Sequence, residues 1–367
     1  LHGIHNIHKY CKENSLNKEN LPHDIEFMQK FSKRKTRDSS DFLKPIDFHD
    51  FHFRVNFKEE RKLYKNKPEI ENLLNNWKDS KKNFRFIKRF TFIHRDYPFK
   101  IDCSIIKTSR KKKYYIPEYS IQDANVFNNP ENYEIEIELT KEAKNYNSTD
   151  LIKKLKTGIK LVLSGWQQTN FPCSFKEMET ILNEYKHLIY EGQKVPDRRI
   201  HSGDFLGPSS ISLEVQNIIP LDTDSNIANI NTPYTVTDKA DGDRKLLYIS
   251  KIGKIYLINT NMKVQFTGSI TKHKNCWNTI LDGEHIICNK KGEFINLFLC
   301  FDIYFKNKKS MKEYPFIKID DMHYSKNIDK NIFRWDELNI FLSSLDSECI
   351  IKDYNSQLMI RSKTFYK

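Results

Sequence analysis

A chain of 367 residues with 38% hydrophobic and 13% aromatic residues is long enough for two packed cores and too apolar for a disordered tail. Its 61 lysines and arginines against 48 acids leave a net charge of +13, which points to nucleic acid or nucleotide phosphates, with plain solubility as the alternative. No apolar run approaches the roughly 18–20 residues of a membrane-spanning helix, so no membrane partner is expected.

The chain opens Leu1-His2-Gly3 without a methionine, and is expected to be a segment of a longer polypeptide. His2, His5 and His8 recur without a carboxylate or cysteine beside them and read as a loose terminus, not a metal site. Short runs then alternate between apolar and polar residues: 51–58, 84–92, 99–107 and 133–139 read as strands with one polar face. Ile70, Leu73, Leu74 and Trp77 follow helical spacing. Leu151 to Leu163 is a second helix, with Asp150 placed to cap it, and Ser174 with Glu177 opens a third through a capping box. Glycine, proline and charge concentrate over 191–210, so the domains are set at 1–195 and 211–367 with 196–210 as linker. Beyond it, Lys245 to Ile249 and Lys254 to Ile258 form a hairpin, followed by apolar strands at 280–288 and 294–305. The seven cysteines contain no C-x-x-C pair, which fits a reducing cytoplasm; Cys103, Cys288 and Cys300 sit in apolar runs and read as buried hydrophobes.

Residues 239–244 carry K-x-D-G-x-R, the motif of covalent nucleotidyltransferases. A lysine amine there attacks the α-phosphorus of a nucleoside triphosphate and forms a phosphoramidate, with pyrophosphate leaving. At a reference pKa near 10.4, roughly one lysine in a thousand is neutral at pH 7.4, and Arg244 or a bound metal is expected to depress that value. Gly242 lets the backbone pass close to the nucleotide. The plain reading is a surface loop of mixed charge. Leu281-Asp282-Gly283-Glu284 and Phe301-Asp302-Ile303 follow, each closing an apolar run. On an ordinary sheet these acids are turn residues.

Three glutamates, Glu134, Glu136 and Glu138, share one strand face, an arrangement that is costly unless cations oppose it. Mg²⁺ or Mn²⁺ is one solution and a row of basic side chains is the other. Basic strands carrying Arg54, Lys58, Arg85, Lys88, Arg89, Lys107 and Lys111 to Lys113 precede them.

The ordered lysine and carboxylate motifs resemble those of capping enzymes and polynucleotide ligases, and residues 208–214 and 234–242 resemble large DNA virus capping enzymes. Residues 50–140 resemble the triphosphate tunnel metalloenzymes, the RNA triphosphatases joined to such guanylyltransferases. The resemblance implies an α+β chain: an antiparallel tunnel-like β-barrel, then part of a mixed-sheet nucleotidyltransferase domain. It implies removal of the γ-phosphate from 5'-triphosphate RNA, then GMP transfer from GTP through Lys239, with Asp241, Arg244, Glu284 and Asp302 on the GTP. Arg54, Lys58, Arg89 and Lys107 would grip the triphosphate, and Glu134, Glu136 and Glu138 would hold Mg²⁺ or Mn²⁺. A cap methyltransferase domain or subunit and a cytoplasmic setting, viral factory or virion, come with it. The family's first glutamate pair has no counterpart before Arg54, where Asp50-Phe51-His52 is the nearest run, and truncation is the expected reason. Its D-G-x-[IV] and lysine-rich strands have none after Asp302, where Ser347 to Lys352 comes nearest, so this stretch by itself is expected not to complete guanylyl transfer. Asp102 and Lys107 fall on opposite strand faces unless a bulge intervenes. Two other readings stay open: an ATP-dependent RNA or DNA ligase with a structural glutamate strand, and an inactive RNA-binding capping subunit.

Overall fold

The computed structural model describes residues 1–13, 16, 21, 25–35, 40–220, 227, 229–231, 234–318, 329–352 and 357–366. It divides into two compact units, Leu1–Leu161 and Val162–Lys367.

The first unit opens with helix α1 (Ile4–Glu13), so His5 and His8 are exposed on a helix and not on a loose end. Its buried Tyr10 joins Ile25, Phe27, Ile70, Leu74, Phe84, Ile121 and Val126 in one core. Strand β1 (Phe27–Ser32) pairs antiparallel with β4 (Lys58–Leu63), and β2 (Ile46–Phe48) with β3 (Phe53–Val55). The single strand expected over 51–58 is therefore broken. His49–Phe51 is a 3₁₀ turn and His52 turns left-handed at φ 52°, which ends the alternation. Helix α2 (Pro68–Asn75) places its proline where the missing N–H costs nothing.

Three longer strands follow as expected: β5 (Arg85–Ile93), β6 (Phe99–Thr108) and β7 (Asn132–Leu139), paired antiparallel in that order. Among the described residues these sheets stay separate, as two two-stranded ribbons and one three-stranded sheet, and no barrel closes. The acids that a closed tunnel would turn onto a ligand are instead matched by cations on their own face, described below. Helix α3 (Ser148–Gln167) starts before the expected Asp150. Asn147 Oδ1 accepts the Asp150 N–H at 2.9 Å, so Asn147 is the cap and Asp150 lies inside the first turn.

The second unit is a mixed sheet with helices on both faces. Helix α4 (Phe175–Ile189) is capped by Ser174, whose hydroxyl accepts the Glu177 N–H at 3.1 Å. The Glu177 carboxylate, expected to complete the box, turns instead to Lys254 at 2.8 Å and Tyr256 at 2.7 Å. Strands β8 (Asp243–Ile249), β9 (Lys254–Asn259), β10 (Val264–Ile270), β11 (Thr279–Cys288) and β12 (Phe294–Lys306) are antiparallel to their neighbours. With β13 (Lys309–Ser310) and β14 (Glu348–Cys349) their order is β13-β12-β11-β8-β9-β10-β14, and β15 (Met359–Ser362) adds to β12 in parallel. One face buries Leu246, Tyr248, Tyr256 and Ile258 under Ile181, Tyr185 and Leu188 of α4. The other buries Leu247, Ile249, Ile255 and Leu257 with Leu338 and Phe341 of helix α5 (Arg334–Ser344).

That packing explains why the units divide at Leu161 and not within 191–210: α4 belongs to the sheet it covers. The stretch read as a linker is anchored too. Asp204 is buried, accepts from Arg198 at 2.6 and 2.7 Å and from the Tyr190 hydroxyl at 3.0 Å, while Tyr185 donates to its carbonyl at 2.8 Å. Cys300 is buried as expected, but Cys103 is half-buried and Cys288 exposed, because β11 runs out of the core before its last residues. No described helix is long and apolar enough to cross a membrane.

Candidate nucleotidyltransferase site

The K-x-D-G-x-R segment leads into β8 without regular structure. It is held in place by a two-way bridge between Val236 and Tyr366 at 2.8 Å and by the Thr237 hydroxyl on the Thr364 carbonyl at 2.7 Å. Lys239 and Asp241 are exposed at its crest. Gly242 is required by the protein's own packing, whatever it does toward a nucleotide. A Cβ there would lie 2.8 Å from the His285 carbonyl oxygen, closer than a side-chain carbon sits.

At the start of β8, Arg244 stands opposite Glu284 of β11. The Arg244 guanidinium donates to both Asp282 oxygens, at 3.2 and 2.6 Å, and to the Pro208 carbonyl at 2.5 Å. Phe205 and Phe301 flank it at 5.5 and 5.8 Å. The Tyr304 hydroxyl donates to the same carboxylate at 2.7 Å. Asp282 is wholly buried; burial pushes its carboxyl up, with Arg244 and Tyr304 opposing. Gly207, at φ 120°, seals this cluster, since a Cβ would meet Arg244 Nη2 at 2.6 Å and the Tyr304 hydroxyl at 2.7 Å. Arg244's charge is thus offset by Asp282 within this cluster.

Glu284 differs from Asp282. One of its carboxylate oxygens, Oε2, is buried without a hydrogen-bond partner among the described residues. Asp302, expected beside it on the nucleotide, is committed elsewhere. Arg334 of α5 grips it through two bonds at 2.8 and 3.0 Å, because a buried carboxylate on this strand needs a cation and α5 supplies one. Of the expected set, the structure pairs Arg244 with Glu284, leaves Lys239 and Asp241 exposed on the adjoining loop, and turns Asp302 to α5. Phe205, Phe301, Tyr304 and Lys363 were not foreseen. The Lys363 ammonium lies 5.9 Å from the Phe301 ring, so that ring is bracketed by two cations. Phe301, the residue before Asp302 in the motif, carried the one available signal.

In the first unit, the glutamates of β7 face β5 and β6. Arg85 pairs with Glu134 at 2.9 Å, Arg89 with Glu136 at 3.1 Å and Lys100 with Glu138 at 2.9 Å. Buried Asp102 sits among them, bonded to Thr91, Arg89 and Lys100, and the two cations and the hydroxyl hold its carboxyl below the usual range against its burial. Of the two solutions for such a face, the row of basic side chains is the one seen. The donors are hard oxygens suited to Mg²⁺ or Mn²⁺, but each is tied to its own cation, and among the described residues no three acids, histidines or cysteines converge on one point. As arranged, Glu134, Glu136 and Glu138 do not fit a resident metal. The expected triphosphate grip is not assembled either. Arg54 binds Asp47 at 2.6 Å on the β2–β3 ribbon, Lys58 is exposed on β4, and only Arg89 lies on the glutamate face. Lys107 bonds the Phe127 carbonyl at 2.8 Å from the opposite face of an unbulged β6, as its parity required.

Residues 176–331 match the family described as "mRNA capping enzyme, catalytic domain". That match contains α4 from its second residue on, with Lys239, Arg244, Glu284 and Asp302. The chain is also 31% identical over 176 residues to the "Probable mRNA-capping enzyme" of Acanthamoeba polyphaga mimivirus, covering 48% of this chain and 13% of that protein. Both comparisons support a capping enzyme; the chain spans about an eighth of the relative's length.

Proposed function

We propose that residues 162–367 carry the mRNA guanylyltransferase of a capping enzyme, with Lys239 as nucleophile. The supporting observation is that the capping-enzyme match spans a lysine motif whose Arg244 stands opposite a partly unsatisfied Glu284. Neutral Lys239 attacks the α-phosphorus of GTP; an N–P bond forms, the bond to the bridging oxygen breaks, pyrophosphate leaves and the amine proton passes to solvent. A diphosphate RNA end then displaces the lysine and takes the GMP. Glu284 is suited to a ribose hydroxyl, and the Phe301 face to a base. Arg244 acts chiefly by holding the Asp282 strand and the 205–208 loop in place, with a GTP contact by Arg244 or Asp241 as a further part of the proposal. Incubation with α-labelled GTP or ATP is the test. Acid-stable label from GTP supports capping; label from ATP alone supports a ligase; no label from either nucleotide, on the chain or on the longest natural polypeptide that contains it, supports an inactive RNA-binding subunit.

For residues 1–161 we infer an RNA triphosphatase, resting on the resemblance of 50–140 alone. A triphosphate would compete with the glutamates for Arg85, Arg89 and Lys100, and a divalent-ion requirement belongs to this proposal. Phosphate release from triphosphate-ended RNA, titrated with Mg²⁺ and Mn²⁺, tests both. A neighbouring cap methyltransferase and a cytoplasmic viral setting belong to the same reading.

A further inference from the structure

The longest run of consecutive cations in the sequence, Arg110-Lys111-Lys112-Lys113, runs directly into Tyr114-Tyr115. Nothing in the sites above uses it. Lys111 and Tyr115 form an antiparallel bridge, and the Ile116 N–H bonds the Arg110 carbonyl at 2.9 Å, so 112–114 are pushed outward as the tip of a tight turn. All six residues from Arg110 to Tyr115 are exposed; Tyr114 is 75% and Tyr115 42% accessible. Lys111 lies 5.4 Å from the Tyr115 ring and Lys113 5.8 Å from that of Tyr114. A second bridge, Lys82 with Glu118, brings Lys81 to 5.2 Å from the ring of Tyr119, itself 47% accessible.

On the β5–β7 sheet Arg85, Arg89, Lys100 and Lys107 each have a carboxylate within 4 Å. Among the described residues, Arg110, Lys111, Lys112, Lys113 and Lys81 have none, although Asp79 and Glu118 lie nearby in sequence. A cluster of unneutralised ammonium groups interleaved with water-exposed rings matches one kind of polymer. Single-stranded nucleic acid supplies both phosphates for the cations and unstacked base faces for the rings. A duplex hides its base faces and would use the lysines alone.

We propose that the 110–119 turn is a sequence-independent contact surface for single-stranded RNA, holding the polymer away from its reacting 5' end. The choice of RNA rests on the capping reading, but the test does not, because the probe is a 20-nucleotide RNA with a 5'-hydroxyl that neither activity can modify. Binding to the whole chain is followed by fluorescence anisotropy across salt, beside a duplex of the same sequence and heparin. Changing Lys111, Lys112 and Lys113 together to Gln should flatten the slope of log affinity against log salt by about 2, three contacts at about 0.7 each. Tyr114→Ala with Tyr115→Ala should weaken single-stranded RNA about tenfold or more while leaving heparin binding and the salt slope unchanged, and the double Phe variant should bind as the parent does. Thermal melting of each variant confirms that the exposed turn changed without the fold. RNA affinity unmoved by either set overturns the proposal. So does a lysine variant that loses RNA, duplex and heparin alike while the tyrosine variant loses nothing, the behaviour of a merely basic surface. Labelling of the parent with α-labelled GTP is measured apart from this binding, so failure of the capping reading is recognised separately.

Discussion

Asp282 and Glu284 are two residues apart on one strand, yet their surroundings differ sharply. Asp282 is fully buried with Arg244 and Tyr304 on it, so Asp282→Ala strands a half-buried guanidinium and a buried hydroxyl. Breaking such a pair costs about 3–5 kcal/mol, which urea unfolding would read directly. Glu284 gives up no hydrogen bond at Oε2, so Glu284→Gln should leave the unfolding midpoint nearly unchanged and lower labelling from GTP at least tenfold. Equal losses of stability in the two variants would show Glu284 to be another structural acid. The sequence offered both carboxylates in one Asp-Gly-Glu run but no way to sort them. Sorting depends on Tyr304 and Pro208, which only the folded sheet brings to Asp282 and Arg244.

At the scale of elements, local signals were read well and long-range ones poorly. The alternation of β5, β6 and β7, the Ser174 cap of α4 and the β8–β9 hairpin all depend on neighbours within a few residues, and they stand as read. The 196–210 stretch reads as a linker in sequence yet is anchored around Asp204, because its glycines, proline and charges look the same whether they float or bind. Arg198 reaches Asp204 six residues on, and Tyr185 reaches it from α4. That anchor has a pH signature. Arg198, with the His201 N–H and the Tyr190 hydroxyl, holds the Asp204 carboxyl far below the usual carboxylate range. A carboxyl depressed in the folded state contributes stability that is present above its unfolded pKa, near 3.9, and is lost as pH falls through the folded value. The stability difference between the parent and Asp204→Asn should therefore be full at pH 7 and shrink below about pH 4. A difference that is flat from pH 7 to pH 2 would mean the carboxylate charge does nothing for the strap.

Over the whole molecule, the capping-enzyme match lies entirely in the second unit, and the first unit's proposed role stands on sequence resemblance alone. If the first unit hydrolyses triphosphate ends with a divalent ion that takes the β7 glutamates once the triphosphate has drawn Arg89 away from Glu136, Glu136→Ala should reduce metal-dependent phosphate release by orders of magnitude with the sheet intact. Undiminished release would leave β7 as a structural strand balanced by Arg85, Arg89 and Lys100. The lysine motif lies inside the family match, and a motif of fixed residue types in a short span is the kind of feature a sequence shows most readily. The barrel was the least legible, because closure depends on pairings that alternation does not encode. The central claim is that Lys239 accepts GMP, and the most direct measurement is to find where labelled nucleotide attaches. The chain, alone and within the longest natural polypeptide that contains it, is incubated with α-labelled GTP and Mg²⁺, quenched in acid, digested and sequenced by mass. The expected result is one labelled peptide spanning residues 236–244, with GMP on Lys239 and no label in Lys239→Ala. Label on another residue, label that survives Lys239→Ala, or none in either polypeptide would contradict it.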